Sequence, residues 1–131
     1  MELVKIMPSE SVVMKSIYSR LENWTMDGTV LWFLRINTGK IQTPFGSWVQ
    51  LAPKGTSDFV AVIRNRVCGL SILFIEAKGT GGTLRPDQMI FRKRFIGEKD
   101  VHYLVINDPK ELDKIVNMLS HDTVSDIQWP K

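Results

Sequence analysis

The sequence predicts a single α/β domain spanning residues 1–131, with a mixed central sheet and helices on both faces. Three observations lead there. A chain of 131 residues, 44% hydrophobic and 24% charged, has the balance of one globular unit with a core and little room for a second. Its local patterns run helix, strand, hairpin, helix, strand, helix, an order suited to a layered sheet. No internal repeat, linker or low-complexity tract interrupts that order.

The first helix is expected from a Ser9 cap to about Leu21, because Val13, Met14, Ile17, Tyr18 and Leu21 recur at three-and-four spacing. Thr29 to Asn37 is β-branched and aromatic and stops at Asn37-Thr38-Gly39, the pattern of a strand ending in a turn. Residues 39–55 hold Pro44, Gly46, Pro53 and Gly55, which predicts an irregular loop with at most one short strand near Trp48–Leu51. Asp58–Ile63 and Leu70–Lys78 are the clearest strands, and the Asn65 and Gly69 between them can fold the pair into a hairpin. Gly79–Gly82 is a flexible connector. Pro86, suited to a first helical position, opens a helix to about Ile96 that stops at Gly97. Val101–Ile106 is an apolar strand apart from His102 and Tyr103. Asp108, Pro109 and Glu111 have the spacing of a capping box before a last helix to about Leu119.

Composition narrows the functional classes. The longest apolar runs, such as Leu70–Ile75, fall far short of the roughly 20 residues that cross a bilayer, so no membrane span is expected. Met1–Pro8 lacks the features of a secretory signal and Cys68 is a lone cysteine, which together predict an intracellular, cytoplasmic protein. Net charge is only +3, but its distribution is uneven. Between Thr29 and Ile75, Arg35, Lys40, Lys54, Arg64 and Arg66 accompany the single acid Asp58, and Arg85, Arg92, Lys93 and Arg94 follow. A polyanionic partner fits this pattern, although solvated faces explain most such clusters taken alone.

The hairpin is where chemistry concentrates. If its turn is centred near Val67, antiparallel pairing sets Asp58 almost opposite Glu76, and Lys78, two residues on, shares that face. Glu76 closes the apolar run Ser71–Ile75, so its carboxylate is costly to bury without compensation. A divalent cation held by Asp58 and Glu76 supplies it, since Mg²⁺ binds carboxylate oxygens at roughly 2.1 Å and keeps waters that phosphate can displace. Lys78 beside the ion can orient or deprotonate the attacking water and offset phosphoryl charge. For a Glu-x-Lys taken alone, a buried salt bridge is the better reading. The combination with Asp58 one hairpin upstream, a glycine-rich exit and a helix bearing Gln88 favours phosphodiester hydrolysis.

Gly55-Thr-Ser-Asp58, Ile75-Glu-Ala-Lys-Gly79 and Gly82-Thr-Leu-Arg-Pro-Asp-Gln88 closely resemble the virus-type replication-repair nuclease (VRR-NUC) domain of the PD-(D/E)xK nucleases. The resemblance runs over nearly the whole chain, from Glu10 on the first helix to the closing strand and helix. It departs at Ser57, where the superfamily pattern has proline, and at Arg85, where a small capping residue is usual. It implies a restriction-endonuclease-like fold, with Asp58, Glu76 and the Ala77 backbone carbonyl holding Mg²⁺ (Mn²⁺ substituting) and Lys78 activating water. Gln88 would support Lys78 or the phosphate. Glu10 would add an acid from the first helix, reaching the metal directly, through water, or by helping a second cation about 4 Å away; a first-turn acid that simply favours the helix dipole is the equal alternative.

The implied activity is cleavage of branched DNA, above all four-way (Holliday) junctions, by a homodimer. A flap-type or less selective nuclease, or a silent DNA-binding protein on the same scaffold, are the alternatives. Arg35, Lys40, Arg92 and Lys93 are the candidate phosphate contacts. Trp24, Trp32, Trp48 and Trp129, with Phe45, can stack bases, wedge a branch or fill a subunit interface, though core packing is the plainer expectation. Gly79, Gly81 and Gly82 are not followed by the Gly-Lys-Ser/Thr of a nucleotide-binding loop, and a mobile loop beside DNA suits them better. His102 and His121 lack metal-ligand spacing, and Cys68 lacks a partner histidine.

Overall fold

The computed structural model describes residues 9–120. The reading of Met1–Pro8, and of His121 and Trp129, falls outside them. In chain order the elements are α1 (Glu10–Asp27), β1 (Val30–Arg35), β2 (Lys40–Gln42), β3 (Trp48–Gln50), β4 (Phe59–Asn65), β5 (Gly69–Ala77), α2 (Pro86–Lys93), β6 (Val101–Ile106) and α3 (Pro109–Ser120). The chain is therefore mixed α/β. A four-stranded sheet in the order β1-β4-β5-β6 carries the fold, and β2 with β3 makes a separate two-stranded ribbon. Among the described residues only the β5–β6 pair is parallel; the connection between them runs through α2.

Strict alternation on the central strands divides the sheet into two faces. Phe59, Ala61 and Ile63 of β4 and Leu73 and Ile75 of β5 point to one side and are fully buried against Val13, Ile17 and Leu21 of α1 and Leu112 and Val116 of α3. A bidentate pair from Arg20 to Asp113, at 2.7 and 3.2 Å, ties these two helices together. Half exposed, it contributes up to about 1 kcal/mol. On the opposite face Phe91 of α2 and Phe95 of the turn that follows it lie on Phe74, with ring centroids 5.3 and 4.4 Å away, and Phe91 reaches Tyr103 at 6.0 Å. That cover is partial: Trp32 and Leu34 of β1 and Leu70 and Ile72 of β5 stay exposed on the same side of the sheet.

The observed boundaries correct several expectations. α1 continues to Asp27 because it stops at a true terminator, Gly28 at φ 87, and the break in apolar spacing after Leu21 leaves its backbone intact. α2 ends at Lys93 and the chain tightens into successive turns through Gly97, with Arg94, Phe95 and Glu98 each donating to a carbonyl three residues back. Residues 39–51 form two short strands where at most one was expected. Pro44 sits in the connecting turn, which Thr43 and Ser47 close at 2.7 Å, so it breaks no ladder. At α3 the Asp108 carboxylate accepts from Lys110 N at 3.0 Å, while Glu111 pairs with Lys114 at 3.5 Å instead of completing a box. Among the described tryptophans only Trp24 joins the core cluster; Trp32 is 50% and Trp48 66% exposed.

Candidate active site

The β4–β5 register is centred on Val67, pairing Phe59 with Ile75, so Asp58 and Glu76 follow as the next opposed positions. Both lie on the face that α2 covers, in step with Val60 and Phe74. Asp58 is anchored across the strands: its Oδ2 accepts from Ala77 N at 2.7 Å, and its backbone carbonyl accepts from Ile36 N at 2.7 Å. Ser57, in the place where the superfamily pattern has proline, is fully buried and donates its hydroxyl to Phe59 O at 2.9 Å, which shapes the approach to Asp58.

Glu76 is 3% exposed. Its Oε1 accepts from Gln88 Nε2 at 2.5 Å and lies 3.7 Å from Lys78 Nζ, whereas its Oε2 is buried with no hydrogen-bond partner among the described residues. Gln88 is itself buried, because its own Oε1 caps Arg85 N at 2.9 Å at the start of α2. The helix therefore starts at Pro86 as expected, and the glutamine braces Glu76 rather than Lys78.

Lys78 is 6% exposed, and its Nζ lies 3.8 Å from Glu10 Oε1 as well. Glu10 thus enters the site as the lysine's second carboxylate. The glycine-rich exit is a close fit more than a loose tether. A Cβ on Gly79 would stand 2.9 Å from Glu10 N, and one on Gly82 would stand 3.3 Å from Lys78 Cβ, so the chain after β5 is seated against the start of α1 and over the lysine stem. Gly55, at φ +90, approaches α2 so closely that a Cβ would meet Asp87 O at 2.4 Å.

Electrostatics make this cluster unstable as a set of charges. Burial pushes the Asp58 carboxyl up, against the Ala77 N–H that lowers it. Burial, and then the Asp58 charge, pushes Glu76 up to about 7. An orphaned carboxylate oxygen and two acids that resist joint ionisation are what a hard cation relieves, so Asp58 and Glu76 fit as its protein ligands. The fit is partial: among the described residues no three His, Cys, Asp or Glu side chains converge as a ready metal cage. Asp58 also opens onto solvent, at a cleft of about 480 Å³ walled by Glu10, Lys15, Tyr18 and Arg35, and at an adjoining recess of about 400 Å³ reaching Asn37 and Thr38.

Of the expected phosphate contacts, Arg35 lines this cleft. Lys40 begins the ribbon. Arg92 and Lys93 lie on the last turn of α2, where Arg92 borders a different groove with His102 and Tyr103. Sequence reasoning missed Tyr103. Paired with Phe74 in parallel register, it lies on the Glu76 face, and its buried hydroxyl has no hydrogen-bond partner among the described residues. Burial, then Glu76 and Asp58, push that hydroxyl far above its ordinary range, so it stays protonated. The only signal in the sequence is a tyrosine in an otherwise apolar strand.

No protein-family model, curated protein or solved structure matches the chain.

Proposed function

We propose that the chain is a magnesium-dependent deoxyribonuclease of the VRR-NUC type that hydrolyses phosphodiester bonds in branched DNA, four-way junctions in particular. One observation carries this reading: a buried Glu76 with an unpartnered oxygen, opposite Asp58 and within ion-pair distance of Lys78. Such a carboxylate is a poor structural choice unless a cation completes it.

Asp58, Glu76 and the Ala77 carbonyl would hold Mg²⁺, with Mn²⁺ substituting. When bound, the ion supplies charge neutralisation and a more acidic water. The chain's own groups do the rest. Gln88 fixes the Glu76 rotamer, Glu76 and Glu10 hold the Lys78 amine between them, and that amine meets the water or the phosphoryl oxygens. Arg35 on the cleft wall meets the neighbouring phosphate. A symmetric dimer, giving two cuts, is the partner state proposed; the uncovered face around Trp32, Leu34, Leu70 and Ile72 supports it.

The test is incubation of the purified protein with matched four-way, flap, single-stranded and linear duplex DNAs in Mg²⁺, Mn²⁺ and EDTA, beside Asp58→Asn and Glu76→Gln. Metal-dependent cuts across the junction, absent in both variants, are expected. Binding without any nick in either metal would sink the enzyme reading, and cuts confined to one arm would turn it toward a flap nuclease.

A further inference from the structure

Residues 39–51 form a ribbon that the catalytic cluster does not use. Every residue of β2 and β3 is exposed, and Phe45, at the connecting turn, is 95% exposed. Bare aromatic rings on a narrow ribbon are costly in water and add nothing to the core, so their use lies in a partner. The pairing Gln42↔Trp48 and Lys40↔Gln50 puts Trp48 and Lys40 on one side of the ribbon, at diagonal positions across the strand pair. The flanking sequence carries one sign of charge: from Gly28 to Ser57 it has Arg35, Lys40 and Lys54 and no aspartate or glutamate. The ribbon also rises from the wall of the cleft, since Asn37 and Thr38 line the recess beside Asp58 and Gln50 Nε2 donates back to Thr38 O.

We propose that this ribbon is a nucleic-acid reader whose Phe45 and Trp48 stack on unpaired bases while Lys40 holds the adjacent phosphate. The occupant follows from the combination of π-faces and uniform positive charge, which matches a single-stranded or unstacked stretch. A second copy of the chain, carrying the same positive charge there, would meet like against like. The proposal rests on a DNA substrate and adds what selects it: the seven backbone steps from Thr38 to Phe45 extend at most about 23 Å, so the stacked base lies within roughly seven nucleotides of the cut.

The experiment measures binding in EDTA, by fluorescence anisotropy, to a four-way junction, a gapped duplex and a blunt duplex of one sequence. Phe45→Leu and Trp48→Leu keep apolar bulk without a π-face, and Phe45→Tyr keeps the ring. Each Leu variant is expected to lose about tenfold affinity for the gapped and four-way DNAs and less than twofold for the blunt duplex, with Phe45→Tyr restoring it. Equal losses on all three DNAs, unchanged affinity, or a change only in sedimentation would overturn the proposal, the last pointing to a second copy. Cleavage by the parent protein in Mg²⁺, run in parallel, separates this outcome from failure of the nuclease reading: ring-dependent binding without cleavage leaves the ribbon standing and removes the enzyme.

Discussion

Without a cation, keeping the Glu76 carboxylate ionised at neutral pH costs roughly 3 kcal/mol relative to water. The folded chain holds that proton more tightly than the unfolded one. The group's contribution to stability is therefore full below its ordinary value of 4.5, is lost as pH rises toward about 7, and levels off beyond. Asp58, also raised, acts in the same direction from a lower starting point. Denaturant unfolding in EDTA between pH 5 and 8 should show the parent losing stability and Glu76→Gln losing less; parallel slopes would remove this charge from consideration. Lys78→Ala should lower cleavage at least about a hundredfold while DNA binding persists. Tyr103→Phe removes a buried hydroxyl without a partner and should unfold at the same denaturant concentration or a higher one, measured in urea. At this scale the hairpin spacing in the sequence was enough to set Asp58 opposite Glu76, as the β4–β5 register has it, with Lys78 within ion-pair distance. It was silent on Tyr103, because contact between β5 and β6 depends on a crossover that no local pattern encodes.

The elements were legible where periodicity was long and clean, as in the buried alternation of β4 and β5. They were misjudged where a local breaker was given too much weight or too little. Pro44 and Gly46 argued for irregular chain, yet they make the turn that lets β2 and β3 pair. Apolar residues up to Ile96 extended α2 on paper, but the rings of Phe91 and Phe95 meet Phe74 without needing another helical turn. Two predictions belong here. Phe91→Ala, which unseats α2 from the sheet, should cost about 3 kcal/mol in urea unfolding and weaken cleavage as Gln88 loosens. Gly79→Ala forces the start of α1 away, because its methyl would collide with Glu10 N. Its expected signature is a larger loss in cleavage rate than in stability, since Lys78 loses Glu10 while the core is untouched.

For the whole molecule, the sequence predicted an α/β unit with helices on both faces, and the sheet has them, α1 and α3 on one side and α2 on the other. How much of the second face stays bare was not legible, because Trp32, Leu34 and Ile72 read as ordinary strand residues whichever side is covered. Among the described residues no helix is long and apolar enough to cross a membrane. If the bare patch is shared between two copies, Trp32→Asp should shift sedimentation at micromolar concentration from dimer to monomer and convert paired cuts on a four-way substrate into single nicks. A parent protein that sediments as a monomer at that concentration would dispose of the idea.

The hydrogen that Gly55 carries in place of a methyl leaves the turn leading to Asp58 and the first turn of α2, just before Gln88, meshed like two gear teeth. The close approach couples the two segments through the Asp87 carbonyl, so a side chain added there would press on both. Enlarging that one position would act as a wedge, misregistering both halves of the proposed catalytic centre at once.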